Sequence, residues 1–300
     1  MENYDDLFTQ GQSQDMPRND QPFDKEAWKQ QKKEQREAIY TMIDEAVVNV
    51  ASDSDAFRKY LDVQSRFDRY SVSNALLILS QRPAASELRD FDSWKEQGAY
   101  IRKNETGIFI LEPGDEYQRE DGTTGVSYNT KRVFDVSQTG VIRKHEPPSF
   151  LGDRERISAL VDHSPVPVHV SDTLPTGEKA IYKQDSREIL VWRGLDAASI
   201  FRALSQELAH AEMDKGDGQY NRDEHDFYAT CVSYILCRQF GVATDGNYHF
   251  EGASQVLSGL EPQAVRAELS TIRQTASEIA CRMNRTLNQQ RQQRRSEPER

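Results

Sequence analysis

Residues 206–210 read Gln206-Glu207-Leu208-Ala209-His210. A helix that holds a hydrolytic zinc carries His-Glu-x-x-His. Two imidazoles at i and i+4 bind the metal, and the glutamate beside the first polarises a bound water. The base and the second imidazole are present in this chain, but the first imidazole is replaced by the amide of Gln206, a poor ligand for zinc. Glu207, His210 and Asp214 follow at i, i+3 and i+7, on one face of a helix. With Asp226 or His225 opposite, that face has a spacing used for harder metals. Three readings follow: a hydrogen-bonded remnant, a rearranged metal site, or a peptidase that acts through Glu207 with Gln206 as a surrogate ligand. The missing imidazole favours the remnant, because loss of one ligand removes most of the affinity.

The elements that must position these residues are legible around them. Ile181-Tyr182 and Ile189–Trp192 pair around residues 183–186. A helix from about Ala197 to Lys215 carries the motif. A second, from about Asp223 to Phe240, closes on Gly241. Pro262 is a good first residue for a long helix with the stripe Val265, Leu269, Ile272, Ala276, Ile279, Met283 and Leu287. Upstream, helices are expected over residues 25–51, after Ser54, and over residues 72–81, the last apolar almost all round. From Tyr100 the period changes to that of strands, with 100–103, 107–111 and 127–136 as segments and Asp121-Gly122 as a turn. Pro147-Pro148 marks a linker.

The expected fold is therefore α+β: a helical layer with a small β-ribbon over residues 24–146, then a second α+β domain over 150–288. Residues 1–23 are polar and aperiodic and read as a disordered acidic tail. Residues 289–300 read as a fraying, basic, Arg- and Gln-rich end.

Composition excludes several classes. The chain has 300 residues with a net charge of -11, and 36% are hydrophobic. No apolar run is long enough for a membrane span, and the first residues lack the pattern of a secretory signal, so a cytoplasmic protein with no membrane partner is expected. The three cysteines, Cys231, Cys237 and Cys281, form no CxxC pair, which excludes a zinc ribbon and suits free thiols.

The acidity is uneven. Residues 58–103 carry nine bases against six acids, which is enough to steer a phosphate backbone locally. Arg102, Lys103, Lys131 and Arg132, with aromatic faces at Tyr100, Phe109 and Tyr128, match the two components of single-strand binders: a basic groove and stacking rings. The alternative is an ordinary solvated strand face. For Tyr70, Asn74 and Trp94 the alternative is packing between helices and ribbon, which is the reading favoured for Trp94.

Residues 70–140 resemble the N-terminal domain of ArdC-type antirestriction proteins of plasmids and conjugative elements. The matching pieces are Tyr70-Ser71-Val72-Ser73-Asn74-Ala75-Leu76-Leu77, Trp94 with Gly98, Arg102-Lys103, and Phe134-Asp135-Val136-Ser137-Gln138-Thr139. Residues 150–245 resemble the metallopeptidase-like domain that follows it, related to the ImmA/IrrE and SprT-like zincins, through Gln206–Ala211 and Val232–Cys237. The resemblance implies single-stranded-DNA binding for the first domain, with Tyr70, Asn74, Tyr100, Arg102, Lys103, Lys131 and Arg132 as candidates. It implies a zincin fold for the second, with the third-ligand position at Thr230. Asn104 and Thr106 stand where relatives carry a glycine and a lysine, and asparagine tolerates the turn conformation.

The resulting expectation is a DNA-binding, antirestriction-like accessory protein with an inactive peptidase-like domain. It would bind single-stranded DNA and an unidentified host or element protein, and require no cofactor. The competing expectation is an active zinc metallopeptidase that cuts a protein partner. Zinc would then be the cofactor, Glu207 the catalytic base, and the ligands would come from Gln206, His210, Asp214, His225 and Asp226.

Overall fold

The computed structural model describes residues 25–119, 121–140 and 151–296, with the side chains of 294–296 excepted. The expected N-terminal tail and the proline linker lie outside them. The chain divides into two compact units. Among the described residues, the first contains 25–48 and 73–140, and the second 49–72 and 151–296. Segment 49–72 thus belongs with the second unit, whereas a division near residues 146–150 assigns it to the first. Both units mix helices with small three-stranded sheets.

In the first unit, helix α1 (Lys25–Ser52) contributes its part up to residue 48, burying Ile39, Ile43, Ala46 and Val47. The stretch that will become α3 (Val72–Gln81) buries Ala75, Leu76, Leu77 and Ile78 completely, as an all-round apolar helix must. Strand β1 (Leu88–Arg89) and the short helix α4 (Phe91–Glu96) follow, with Asp90 capping α4 through Ser93 N at 2.8 Å. Strands β2 (Ile108–Gln118) and β3 (Thr124–Asp135) form a long hairpin in the sheet order β1-β3-β2. Its base, Ile108 to Leu111, is buried at four consecutive residues, while the far half is polar and exposed. The stretch 100–103 makes a single bridge, Ile101 to Thr139, instead of the expected strand. A turn follows at once, in which Asn104 adopts φ 68°, the left-handed conformation its side chain tolerates.

Strand β2 is an edge, and an edge leaves alternate N–H and C=O groups unpaired. Two amides of α3 meet them. The Asn74 Nδ2 donates to Leu111 O at 2.8 Å and its Oδ1 accepts from Leu111 N at 2.7 Å. The Gln81 Nε2 donates to Phe109 O at 2.9 Å and its Oε1 accepts from Phe109 N at 2.8 Å. Residues two helical turns apart therefore clasp strand residues two positions apart.

The Phe134–Thr139 segment is a joint of the same kind. The Asp135 carboxylate accepts from the backbone of Ser86, Glu87 and Ser137 at 2.7–3.0 Å. Gln138 accepts from Asp135 N and donates to Thr106 O. The Trp94 indole donates to Phe134 O at 2.9 Å. Together these bonds make a buried hydrogen-bond network around Asp135 and Gln138.

In the second unit, α2 (Ser54–Arg66) places Phe57, Tyr60 and Leu61 in the core. Helix α5 (Asp153–Val161) precedes a sheet of β4 (Val168–Ser171), β5 (Ala180–Lys183) and β6 (Glu188–Trp192). Its order is β4-β6-β5, with β4 parallel and β5 antiparallel to β6. Helix α6 (Ala197–Met213) packs on this sheet and against α7 (Arg222–Phe240). Helix α7 ends on Gly241 at φ 70°, whose N–H bonds Cys237 O. The short α8 (Ala253–Leu257) and the long α9 (Pro262–Ser296) complete the unit. All seven residues of the predicted α9 stripe are buried. Cys231 and Cys237 are buried free thiols, and Cys281 is an exposed one. No described helix is long and apolar enough to cross a membrane.

Candidate functional site

The motif residues lie on α6 where it faces β5 and the first turns of α7. Asp196 caps α6 through Ser199 N at 2.9 Å, and Asn221 caps α7 through Asp223 N at 3.0 Å. These caps fix the register that points Gln206, Glu207 and His210 toward α7.

Glu207 is almost wholly buried. Its carboxylate meets the Arg222 guanidinium in a two-point fork, Oε1 to Nη2 at 2.7 Å and Oε2 to Nη1 at 2.8 Å. Oε2 also accepts from Tyr182 N at 2.6 Å. One carboxylate thereby joins α6, the start of α7 and the outer edge of β5. Three of the roughly four lone-pair sites of this carboxylate are thus taken by fixed donors, and a general base needs one directed at its proton. The carboxylate in turn pushes the Arg222 pKa up, against the burial that opposes it.

His210 is completely buried. Its Nδ1 lies 2.6 Å from the Tyr220 hydroxyl, whose pKa burial pushes well up. Its Nε2 makes no hydrogen bond and stands 3.5 Å from Asp226 Oδ1. The Gln206 Nε2 donates to the same Oδ1 at 3.2 Å. The neighbouring His210 holds the Asp226 carboxyl below its usual range, more than burial raises it. The carboxylate that meets the motif helix is therefore Asp226, one turn before Thr230.

The other candidates are employed elsewhere. Asp214 caps the end of α6, accepting from the Tyr182 hydroxyl at 2.8 Å and from Gly216 N at 2.8 Å. Burial, and then that bond, push the Tyr182 hydroxyl up to about 12. His225 Nδ1 lies 2.7 Å from Asn221 O; a carbonyl only accepts, so this nitrogen carries the proton. The face of Glu207, His210 and Asp214 thus splits between three sets of partners. Among the described residues, no group of three or more His, Cys, Asp or Glu side chains could hold a metal ion. Among the described residues, the buried His210 Nε2, with Asp226 Oδ1 at 3.5 Å as its neighbour, is the feature that suits a metal. The donor set around it is an imidazole, an amide and a carboxylate, with a fixed guanidinium on the adjacent glutamate. That set does not fit a catalytic zinc, which takes three anionic or imidazole ligands.

Sequence reasoning missed Arg222 and Tyr220. The available signal for Arg222 was its i,i+4 relation to Asp226 on α7. Its pairing with Glu207, fifteen residues away, had no local signature.

The DNA-binding candidates fall in both units. Tyr70 lies in the second. Its ring sits edge-on to Phe67, and its carbonyl accepts from Arg273 Nε at 2.7 Å. Asn74 is buried with its amide on Leu111. Tyr100 is 68% exposed, and its ring covers Gly140 so closely that a Cβ there would lie 2.2 Å from it. Arg102 bonds Glu105 and the Ser137 and Thr139 carbonyls, and Lys103 is exposed beside it. Lys131 pairs with Asp90 at 3.0 Å and Glu112 at 3.3 Å. The Arg132 guanidinium lies 4.9 Å from the Phe109 ring centre, and its stem occupies the space a side chain at Gly107 would fill. Lys131 and Arg132 are successive strand residues, so they point to opposite faces of the ribbon. Lys131 and Arg132 therefore do not share one face.

No family model matches the chain, and no curated protein matches it. It is similar to two crystal structures described as antirestriction ArdC protein from R388 plasmid. The metal-free one has 17% identity and a TM-score of 0.49, covering 73% of this chain and 86% of that one. The Mn(II)-bound one has 16% identity and a TM-score of 0.48, covering 73% and 85%.

Proposed function

We propose that this chain is an antirestriction-like accessory protein of a mobile element that binds single-stranded DNA through its first unit, with a second unit that keeps a peptidase-like frame without peptidase chemistry. The observation that carries the non-catalytic part is the Glu207 carboxylate, held in a fork by Arg222 and bonded by Tyr182 N–H, next to a glutamine in place of an imidazole. The DNA part is supported by the sequence resemblance of residues 70–140 and by the exposed Tyr100 near Arg102 and Lys103. The second unit would then serve as a scaffold or as a surface for a protein partner.

One experiment tests both parts. The purified full chain is assayed for bound metal and titrated with a single-stranded oligonucleotide at two salt concentrations. The expected result is no stoichiometric zinc and an affinity that falls steeply with salt, because phosphate contacts release counterions. One zinc per chain would favour the active metallopeptidase instead. Absence of salt-dependent single-strand binding would overturn the DNA part.

A further inference from the structure

We propose that Arg222 is the built-in cation of the peptidase-like centre, and that its charge closes the centre to divalent metal independently of the missing imidazole. This inference rests on the non-catalytic reading and extends it from a lost ligand to a gained counter-charge.

Three contacts tie α6 to α7 at this place. Gln206 donates to Asp226, His210 Nε2 faces Asp226, and Glu207 takes both terminal nitrogens of Arg222. The first two are the positions at which a metal would gather imidazole and carboxylate. The third fixes a guanidinium, balanced by the Glu207 carboxylate, on the residue immediately after Gln206. A guanidinium stays charged at any pH a protein survives, and its planar fork matches a carboxylate at two points. It therefore does not leave by deprotonation when a dication approaches. With Arg222 half-buried, the repulsion between the two is only partly screened. The same fork supplies the charge compensation that a metal and its water would otherwise give Glu207. The unit can thus keep a buried carboxylate without any metal. Asp226 already faces position 206 and His210, so a histidine at 206 would complete an imidazole, imidazole, carboxylate set. The obstacle to metal binding in such a variant is Arg222.

The test uses the full chain stripped with a chelator, then titrated with Zn(II) and with Mn(II). The readouts are metal retained after gel filtration and the shift in melting temperature. The variants are Gln206→His, Arg222→Gln, Gln206→His with Arg222→Gln, and Gln206→His with Arg222→Lys. The parent, both single variants and the lysine double variant are expected to retain no metal. The glutamine double variant should bind zinc tighter than Gln206→His by on the order of ten- to a hundredfold. Should that double variant not fold, Gln206→His with Glu207→Gln and Arg222→Gln leaves no buried charge unpaired, and its zinc affinity is compared with that of Gln206→His with Glu207→Gln, in which Arg222 keeps its charge. Equal zinc affinity of Gln206→His and the glutamine double variant overturns this inference while leaving the non-catalytic reading standing. So does a folded glutamine variant that ignores zinc. Tight zinc binding by the parent overturns both.

Discussion

Replacing Glu207 by glutamine tests the role of this residue through the sign of its effect on stability. The side chain keeps its shape, and one oxygen still accepts from Tyr182 N. What is lost is the negative charge facing Arg222 at 2.7 and 2.8 Å. Breaking a buried ion pair by removing one partner costs about 3–5 kcal/mol, because the other charge stays buried and unpaired. The Glu207 side chain is 5% exposed, but that of Arg222 is 33% exposed and can recover some hydration, so we expect about 2–3 kcal/mol after screening. For a unit of this size that lowers the melting temperature by about 5–10 °C. The assay is urea unfolding followed by circular dichroism, with thermal melts in parallel. Adding Arg222→Met to Glu207→Gln should recover much of the loss, giving a coupling of about 1–3 kcal/mol, as expected for two residues in direct contact. A carboxylate kept for catalysis behaves in the opposite way, since neutralising such groups commonly leaves stability unchanged or raises it. A Glu207→Gln variant as stable as the parent, or more so, would refute the view that this carboxylate is a structural fastener.

Further outcomes follow from the first unit. Asn74→Leu removes both partners of Leu111 and should cost about 2–4 kcal/mol; amide exchange at Leu111 should accelerate, and unchanged protection there would contradict the clasp. Lys103→Gln should reduce the salt slope of single-strand binding by about one unit, whereas Lys131→Gln, already neutralised by Asp90 and Glu112, should leave it unchanged; a larger effect at Lys131 would reverse the assignment of faces. The Asp90 carboxyl is held down to about 2, first by its hydrogen bonds with Ser93 and then by Lys131. A depressed carboxylate stabilises the fold above its unfolded value and loses that contribution as pH falls through the folded one. The stability difference between the parent and Asp90→Asn should therefore be full above about pH 4 and vanish toward pH 2; a difference that persists there would show that charge is not its source.

The sequence by itself determined the longer elements, because their signals are local, although the strand expected over 100–103 is a single bridge. The α3 boundaries follow from an apolar run closed by Pro83. The end of α7 follows from Gly241, which takes the left-handed conformation. The α9 stripe follows from the 3.6-residue period, and every member of it is buried. The glutamine at position 206, where a zinc-binding helix carries histidine, was also legible without coordinates.

What tertiary structure alone decided is which polar groups meet. Asn74 has the composition of a ligand-binding residue, yet the free edge of β2 claims its amide. Lys131 and Arg132 are adjacent in sequence but on opposite faces of a strand, a consequence of pleating that appears only once the register with Phe109 and Ile110 is set. Arg222 carries no motif at all. It becomes decisive because α6 and α7 pack with its guanidinium against Glu207, and a charge buried in that contact must find its counter-charge there.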